Sequence, residues 1–290
     1  MPIKRTTIER PFTIEGIGLF TGQDVSTHFK PNTTSTPGIL IARDGSDPIA
    51  ATIANRSDEP AHPAFGQMDA RHTAIATAKG PAFTTEHALA ALAGLGITDA
   101  IIELTGPEIP ILDGSAIDFA EHLTAAGTTP LSAEINPITP TEPIEITSPD
   151  GTASITIEPI DADAAPHYRY ELDYGSRIPA CTADWKGDPQ SFLESIAPAR
   201  SFSLREEAQA MAQAGLFTRF TPADLLVLDH DAKPIDNTLR FENETAAHKL
   251  LDLIGDLALA GAPIHARITA RRSGHAMNHA AAQRLAELSS

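Results

Sequence analysis

The chain has little of what several protein classes require. It carries one cysteine, Cys181, in 290 residues, which excludes an internal disulfide framework and any cysteine-rich zinc module. Basic residues are scarce: 21 Lys and Arg stand against 38 Asp and Glu, a formal net charge of −17. Nucleic acid and anionic membrane surfaces both reward basic patches, so neither is an expected partner. No stretch approaches the roughly 18 uninterrupted apolar residues of a membrane span, so no stable membrane insertion is expected. The opening, Met1 to Arg10, has basic residues but no apolar run behind them; this argues against a secretory signal and for the cytoplasm. What remains is 42% hydrophobic, 5% aromatic and 20% charged, the profile of a globular chain long enough for two domains. A monomer is expected.

Four prolines, at 130, 137, 140 and 143, remove donors and fix φ in the stretch 127–143, which reads as an inter-domain linker. It separates a first domain, 1–126, from a second, 144–290, each large enough for its own core. In the first, Phe12–Gly16 and Val25–Phe29 flank a glycine-punctuated run and read as a hairpin turning near Thr21-Gly22. A helix is expected over about 85–95, then a strand over 100–104, then a helix capped by Ser115. In the second, Ile144–Ile146 and Ser154–Ile157 flank Ser148-Pro149-Asp150-Gly151, another hairpin, with helices near 206–214, 245–259 and 278–288. Strands followed by helices in each half suggest an α+β sandwich used twice. No close sequence repeat is visible, so the duplication would be architectural only.

Three constellations carry candidate chemistry. In the helix near 245–259, His248 and Asp252 are four apart and share a face, able to meet one metal ion, and Asp256 continues the stripe. Alone, such a pair is more often a solvated polar couple. In Thr84-Thr85-Glu86-His87 a threonine can cap the helix, and its positive end disfavours imidazolium at His87. A capping carboxylate beside a surface histidine is the plainer alternative. Near the C-terminus, Arg271-Arg272-Ser273-Gly274-His275 could hold an anion and supply a titrating acid, or be a charged loop. Two histidines and one carboxylate with an open position suit hydrolytic Zn²⁺ and also Fe²⁺.

The run from Thr84 to Ala100, continuing through Gly106-Pro107-Glu108-Ile109-Pro110-Ile111-Leu112-Asp113-Gly114-Ser115-Ala116, resembles the UDP-3-O-acyl-N-acetylglucosamine deacetylases, zinc enzymes of lipid A synthesis. The segments Leu239–Glu244, His248–Leu257 and Ser273–Asn278 follow in that family's order and at about its spacing. The resemblance implies two similar α+β domains, each a layered sheet and helix sandwich, with the active site in the cleft between them.

It also implies roles. His87, His248 and Asp252 would hold Zn²⁺, with Fe²⁺ an alternative; Glu86 would be the general base toward the attacking water. His275 would be the general acid and Asp256 would orient it. Ser201 would donate to the oxyanion, standing where the family usually has threonine. Lys249 and Arg272 match positions near the UDP moiety. Leu19 and Phe202 would touch substrate, and an insert near 196–220 would form the acyl passage through Leu204, Ala208, Met211 and Gly215-Leu216. The substrate would be a UDP-linked acylated glucosamine. Departures occur at Phe20, where the family commonly has histidine, at 69–74 and at 216–222. These bear on acyl length and sugar identity before they bear on catalysis, and leave open the same chemistry on another N-acyl amino-sugar nucleotide. From a different class, a non-catalytic binder on the same scaffold is the remaining alternative.

Overall fold

The computed structural model describes residues 1–65, 71–175 and 177–288. Its strands are β1 (Ile3–Ile8), β2 (Phe12–Ile17), β3 (Asp24–Pro31), β4 (Ile39–Arg43), β5 (Ile49–Ala50), β6 (Ala100–Thr105), β7 (Thr128–Ile135), β8 (Ile144–Thr147), β9 (Ser154–Glu158), β10 (His167–Leu172), β11 (Cys181–Trp185), β12 (Phe202–Leu204), β13 (Leu226–Leu228) and β14 (Arg267–Arg271). The helices are α1 (Glu86–Gly94), α2 (Ile117–Ala126), α3 (Pro189–Ser195), α4 (Arg205–Gln213), α5 (Glu244–Leu257) and α6 (His275–Glu287).

Two five-stranded sheets organise the chain, ordered β2-β3-β6-β4-β5 and β8-β9-β14-β10-β11. Numbered within its own half, each sheet reads first, second, fifth, third, fourth. The pairing directions also agree: antiparallel, antiparallel, parallel, antiparallel in the first and in the second. In both halves one helix precedes the fifth strand and another follows it, α1 and α2 in the first, α5 and α6 in the second. The architecture is therefore α+β, with one topology used twice. A duplicated topology needs no repeated sequence, because each strand requires only alternation of buried and solvated positions. β10 shows it, with Tyr168, Tyr170 and Leu172 buried and their neighbours half-buried.

The halves differ between the fourth strand and the principal helix. After β5 the described residues of the first half form two short 3-10 turns before α1. After β11 the second half adds α3, β12, α4 and β13, with β12 and β13 paired in parallel around α4.

The stretch 127–143 is not a bare connector. Its first part is β7, antiparallel to β1, with Pro130 opposite Thr6 where the register shifts. A two-stranded ribbon tolerates the missing donor at such an irregularity, which is why the proline did not exclude a strand. Helix ends move slightly as well. The expected threonine caps of α1 are absent: Thr85 is the N-cap residue without a side-chain cap bond. Its hydroxyl donates to the Thr73 carbonyl and that of Thr84 to Glu108. Ser115 likewise sits one residue before the N-cap of α2, although its oxygen accepts from the Ile117 amide at 3.3 Å.

Helices α1 and α5 pack directly on one another. Every residue of α1 but Ala93 and every residue of α5 but Lys249 is buried, as expected of helices enclosed on all sides. Their approach is set by Gly255, where a Cβ would lie 2.1 Å from the carbonyl oxygen of Glu86. That obstacle is backbone and cannot rotate away. Gly255→Ala should therefore cost about 3 kcal/mol or more of stability, the upper range for overpacking. Urea denaturation of purified protein measures it, and wild-type stability in the variant would refute the packing argument.

Candidate metal centre and cavity

The helix contact carries His87, in the first turn of α1, to His248 and Asp252, one turn apart on α5. All three are buried, and one ligand atom from each lies within 4.8 Å of the others. Nε2 of His248 and Nε2 of His87 are 3.3 and 3.7 Å from the same oxygen, Oδ1 of Asp252. The two rings meet edge-on, with centroids 5.2 Å apart. His248 Nδ1 lies 3.1 Å from the Ala199 carbonyl, a bond that makes Nδ1 the donor and leaves Nε2 with its lone pair. Burial pushes His248 down to about 3, against the raising effect of Asp252, so it is neutral at pH 7. Burial would raise the Asp252 carboxyl, but His248 and Lys249 outweigh it and hold it well below the usual range. Two imidazoles and an ionised carboxylate facing one space form a donor set that suits Zn²⁺ or Fe²⁺.

Around this cluster sit the remaining polar groups. One oxygen of Glu86 accepts from the Thr73 amide at 2.9 Å, and burial raises its carboxyl against the lowering charges of His275 and His87. His275, the first residue of α6, places Nδ1 2.8 Å from Asp256 Oδ2, with Nε2 4.0 Å from Asp252 Oδ2. Burial works against the imidazolium, but Asp256 prevails and His275 is pushed up to about 9. The loop before it is held by the Tyr170 hydroxyl, which donates to the Ser273 carbonyl at 2.6 Å. Asp256 also accepts from Asn278 Nδ2 at 2.9 Å and from the Thr73 hydroxyl, whose oxygen lies 2.7 Å from His279 Nε2. Asp256, His275 and His279 are thus close enough to ligate an ion themselves, but these internal bonds already satisfy the carboxylate.

The cluster forms part of the wall of a cavity of about 870 Å³. Leu19, Ser201, Phe202, Lys249 and Arg272 all line it, as do Leu204, Ala208 and Met211. Gly215 and Leu216 are not part of the wall: Leu216 turns inward and is buried, after Gly215 breaks α4 with φ +86°. Arg271 also stays outside, pairing with Asp173 at 3.3 Å. Arg272 takes φ +52°, a conformation seldom adopted without surrounding constraint, and its side chain lines the cavity. Ser201 is held by its amide, which donates to the Gly114 carbonyl at 2.6 Å. Its neighbour Arg200 donates to Glu244 at 2.7 Å, and Arg240 pairs with Asp113. The Asp113-Gly114-Ser115 segment is therefore a fastening between the halves.

The sequence reading overlooked Thr73, His279 and the aromatic contacts of Phe20. A terminal helix starting at Asn278 hid the one-turn spacing of His275 and His279, which becomes visible once α6 starts at His275. Phe20, His72 and Phe217, all within the departing segments, converge: the Phe20 ring lies 5.2 Å from His72 and 5.9 Å from Phe217. Asp69 and Ala70 lie outside the described residues.

A family model described as "LpxC: UDP-3-O-acyl N-acetylglycosamine deacetylase" matches residues 5–287. The chain is 34% identical to a "Bifunctional enzyme LpxC/FabZ" of Chlorobaculum tepidum, over 96% of this chain and 63% of that protein. It thus spans less than two thirds of that relative. It is 32% identical to a "UDP-3-O-acyl-N-acetylglucosamine deacetylase" of Synechocystis sp., over 97% of this chain and 98% of that protein. One of the same name from Geotalea uraniireducens is 30% identical over 94% of this chain and 85% of its own length.

Two outcomes follow from the geometry. His87→Ala and Asp252→Ala should each fail to retain a stoichiometric divalent metal ion after dialysis, read by elemental analysis. The second concerns pH. Burial, assisted by the charge of His275, pushes His72 down from 6.5 to about 4. The unfolded chain therefore takes up this proton first. Stability from neutral His72 is complete above pH 6.5 and lost as pH falls toward 4, a difference of about 3 kcal/mol. His72→Phe should flatten that part of the stability profile; an unchanged slope would remove His72 as its source.

Proposed function

Because the chain belongs to the LpxC family of UDP-3-O-acyl N-acetylglycosamine deacetylases, we propose that it hydrolyses the acetamide of a UDP-3-O-(3-hydroxyacyl)-N-acetylglucosamine. The products are acetate and the free amine, in the committed step of lipid A synthesis. The observation that carries this reading is one cavity in which His87, His248 and Asp252 stand beside Glu86 and His275 and continue into an apolar arm. Bound by the three ligands, Zn²⁺ (or Fe²⁺) supplies the Lewis acidity that polarises an amide carbonyl and makes water acidic.

The side chains do the rest. Glu86 takes the proton of the attacking water. Its raised carboxyl brings a general base closer to working pH, and the Thr73 amide holds one oxygen while the other stays available. His275, charged at neutral pH, stabilises the oxyanion and delivers its Nε2 proton to the departing amine. Asp256 keeps Nδ1 engaged and so selects the reacting nitrogen. Ser201 adds a hydroxyl donor on the cavity wall. Lys249 and Arg272 face the diphosphate, for which cationic donors are needed, while Phe202, Leu204, Ala208 and Met211 receive the acyl chain and Leu19 also touches the substrate from the cavity wall.

The reading also takes the enzyme as a monomer of the cytoplasm. No described helix is long and apolar enough to cross a membrane.

Acetate release from the UDP-3-O-acyl substrate, with chelator and with restored Zn²⁺, tests the activity. Turnover should vanish with chelator and return with metal. Glu86→Gln should keep zinc and lose roughly 10²- to 10⁴-fold in kcat, the usual worth of a general base; full activity would refute the assigned base. A panel of acyl lengths, with the non-acylated sugar included, separates this substrate from other N-acyl amino-sugar nucleotides.

A further inference from the structure

Glu108 is fully buried and lies outside the catalytic cluster, and among the described residues no cation pairs with its carboxylate. Its partners are neutral donors from two separate segments. Oε2 accepts from the Thr21 amide at 2.9 Å and the Thr21 hydroxyl at 2.8 Å; Oε1 accepts from the Thr84 hydroxyl at 2.7 Å. The Phe20 amide reaches both oxygens, at 3.1 and 3.2 Å. The loop wraps this closely because Gly18 has no side chain: a Cβ there would lie 2.5 Å from Oε2.

Each segment leads to the site. Leu19 and Phe20 line the cavity. Their loop also grips the insert of the second half: Arg219 donates to the Gly22 carbonyl at 3.2 Å and pairs with Asp24 at 2.8 Å. Thr84, at φ +57°, stands two residues before Glu86 and three before His87. A single carboxylate thereby ties the cavity wall to the backbone turn that presents the base and a metal ligand.

We propose that Glu108 is a positioning residue for the deacetylation, setting the Leu19–Phe20 wall against the Glu86–His87 turn and so fixing the bound acyl-sugar relative to the base. A merely structural Glu108 would be indifferent to which of its two arms is cut. A positioning Glu108 is not, because one arm governs where substrate binds and the other where the base stands. The inference rests on the substrate reading above.

The test cuts the arms separately in the zinc-loaded protein. Thr21→Val removes a bond on the wall side and should raise KM, and the Kd of the UDP-3-O-acyl substrate by calorimetry, roughly tenfold, with kcat within about twofold. Thr84→Val removes the bond on the turn side and should lower kcat roughly tenfold with Kd unchanged. Glu108→Gln, which places an amide donor against one set of donors, should show both effects. If the threonine variants lower the melting temperature while KM, Kd and kcat stay at wild-type values, the proposal falls. They decide the question even where Glu108→Gln does not fold. A wild type that binds the acyl-sugar nucleotide without releasing acetate defeats the substrate reading, and the Kd of Thr21→Val then decides this one. A wild type that neither binds nor hydrolyses it overturns both.

Discussion

The contact between α1 and α5 sets the terms for the molecule. At Gly255 the carbonyl of Glu86 occupies the place of a side chain, so the helices meet backbone to backbone rather than across a layer of side chains. Neither half holds a complete site. The first supplies Glu86 and His87, the second His248, Asp252 and His275, and the distances among them are those of the helix packing. Arg240 with Asp113 braces the same junction across the halves, and Arg200 with Glu244 ties the segment that carries Ser201 and Phe202 to the start of α5.

Burying so many ionisable groups in one place is costly unless they satisfy one another. Here they do so in linked pairs: Lys249 with Asp252 and Asp256 with His275, with Thr73 between Asp256 and His279. The result is a cluster whose members differ in protonation although they are neighbours. His248 is neutral at pH 7 because burial outweighs the pull of Asp252, and His275 is charged because Asp256 outweighs its burial. Such divergence between like side chains suits His248 to ligation and His275 to acid chemistry. Arg71, Arg177, Arg205, Lys249 and Arg272 line the cavity, whereas Arg271 stays outside it, paired with Asp173.

Legibility varied with how local the cause was. The hairpin at Phe12–Gly16 and Val25–Phe29, the helix beginning near Glu86 and the one beginning near Glu244 follow from turn glycines and periodicity, which act over a few residues. The β1–β7 ribbon was hidden because prolines argue against a strand, and only its partner at the other end of the domain shows that Pro130 falls at an irregularity. The threonine caps failed for a related reason: Glu108 and the Thr73 carbonyl offered Thr84 and Thr85 better partners than the helix end. Gly215 and Leu216 followed helical spacing on paper, but α4 ends before them. Phe20, His72 and Phe217 read as three unrelated departures, and the fold makes them one aromatic contact.

The amino-acid sequence by itself determined the α+β class and offered Glu86, His87, His248, Asp252, Asp256 and His275 as candidates. Residue type and short-range spacing carry that information: four apart on a helix is one face wherever the helix goes. Only the tertiary structure decided the order and direction of the strands in the two sheets, that Thr73 and His279 stand behind Asp256, and that Glu108 joins the cavity wall to the turn before His87. These are contacts between segments far apart in the chain. Their distances are set by backbone packing at Gly255 and by buried hydrogen bonds, and neither leaves a periodic trace in the order of residues.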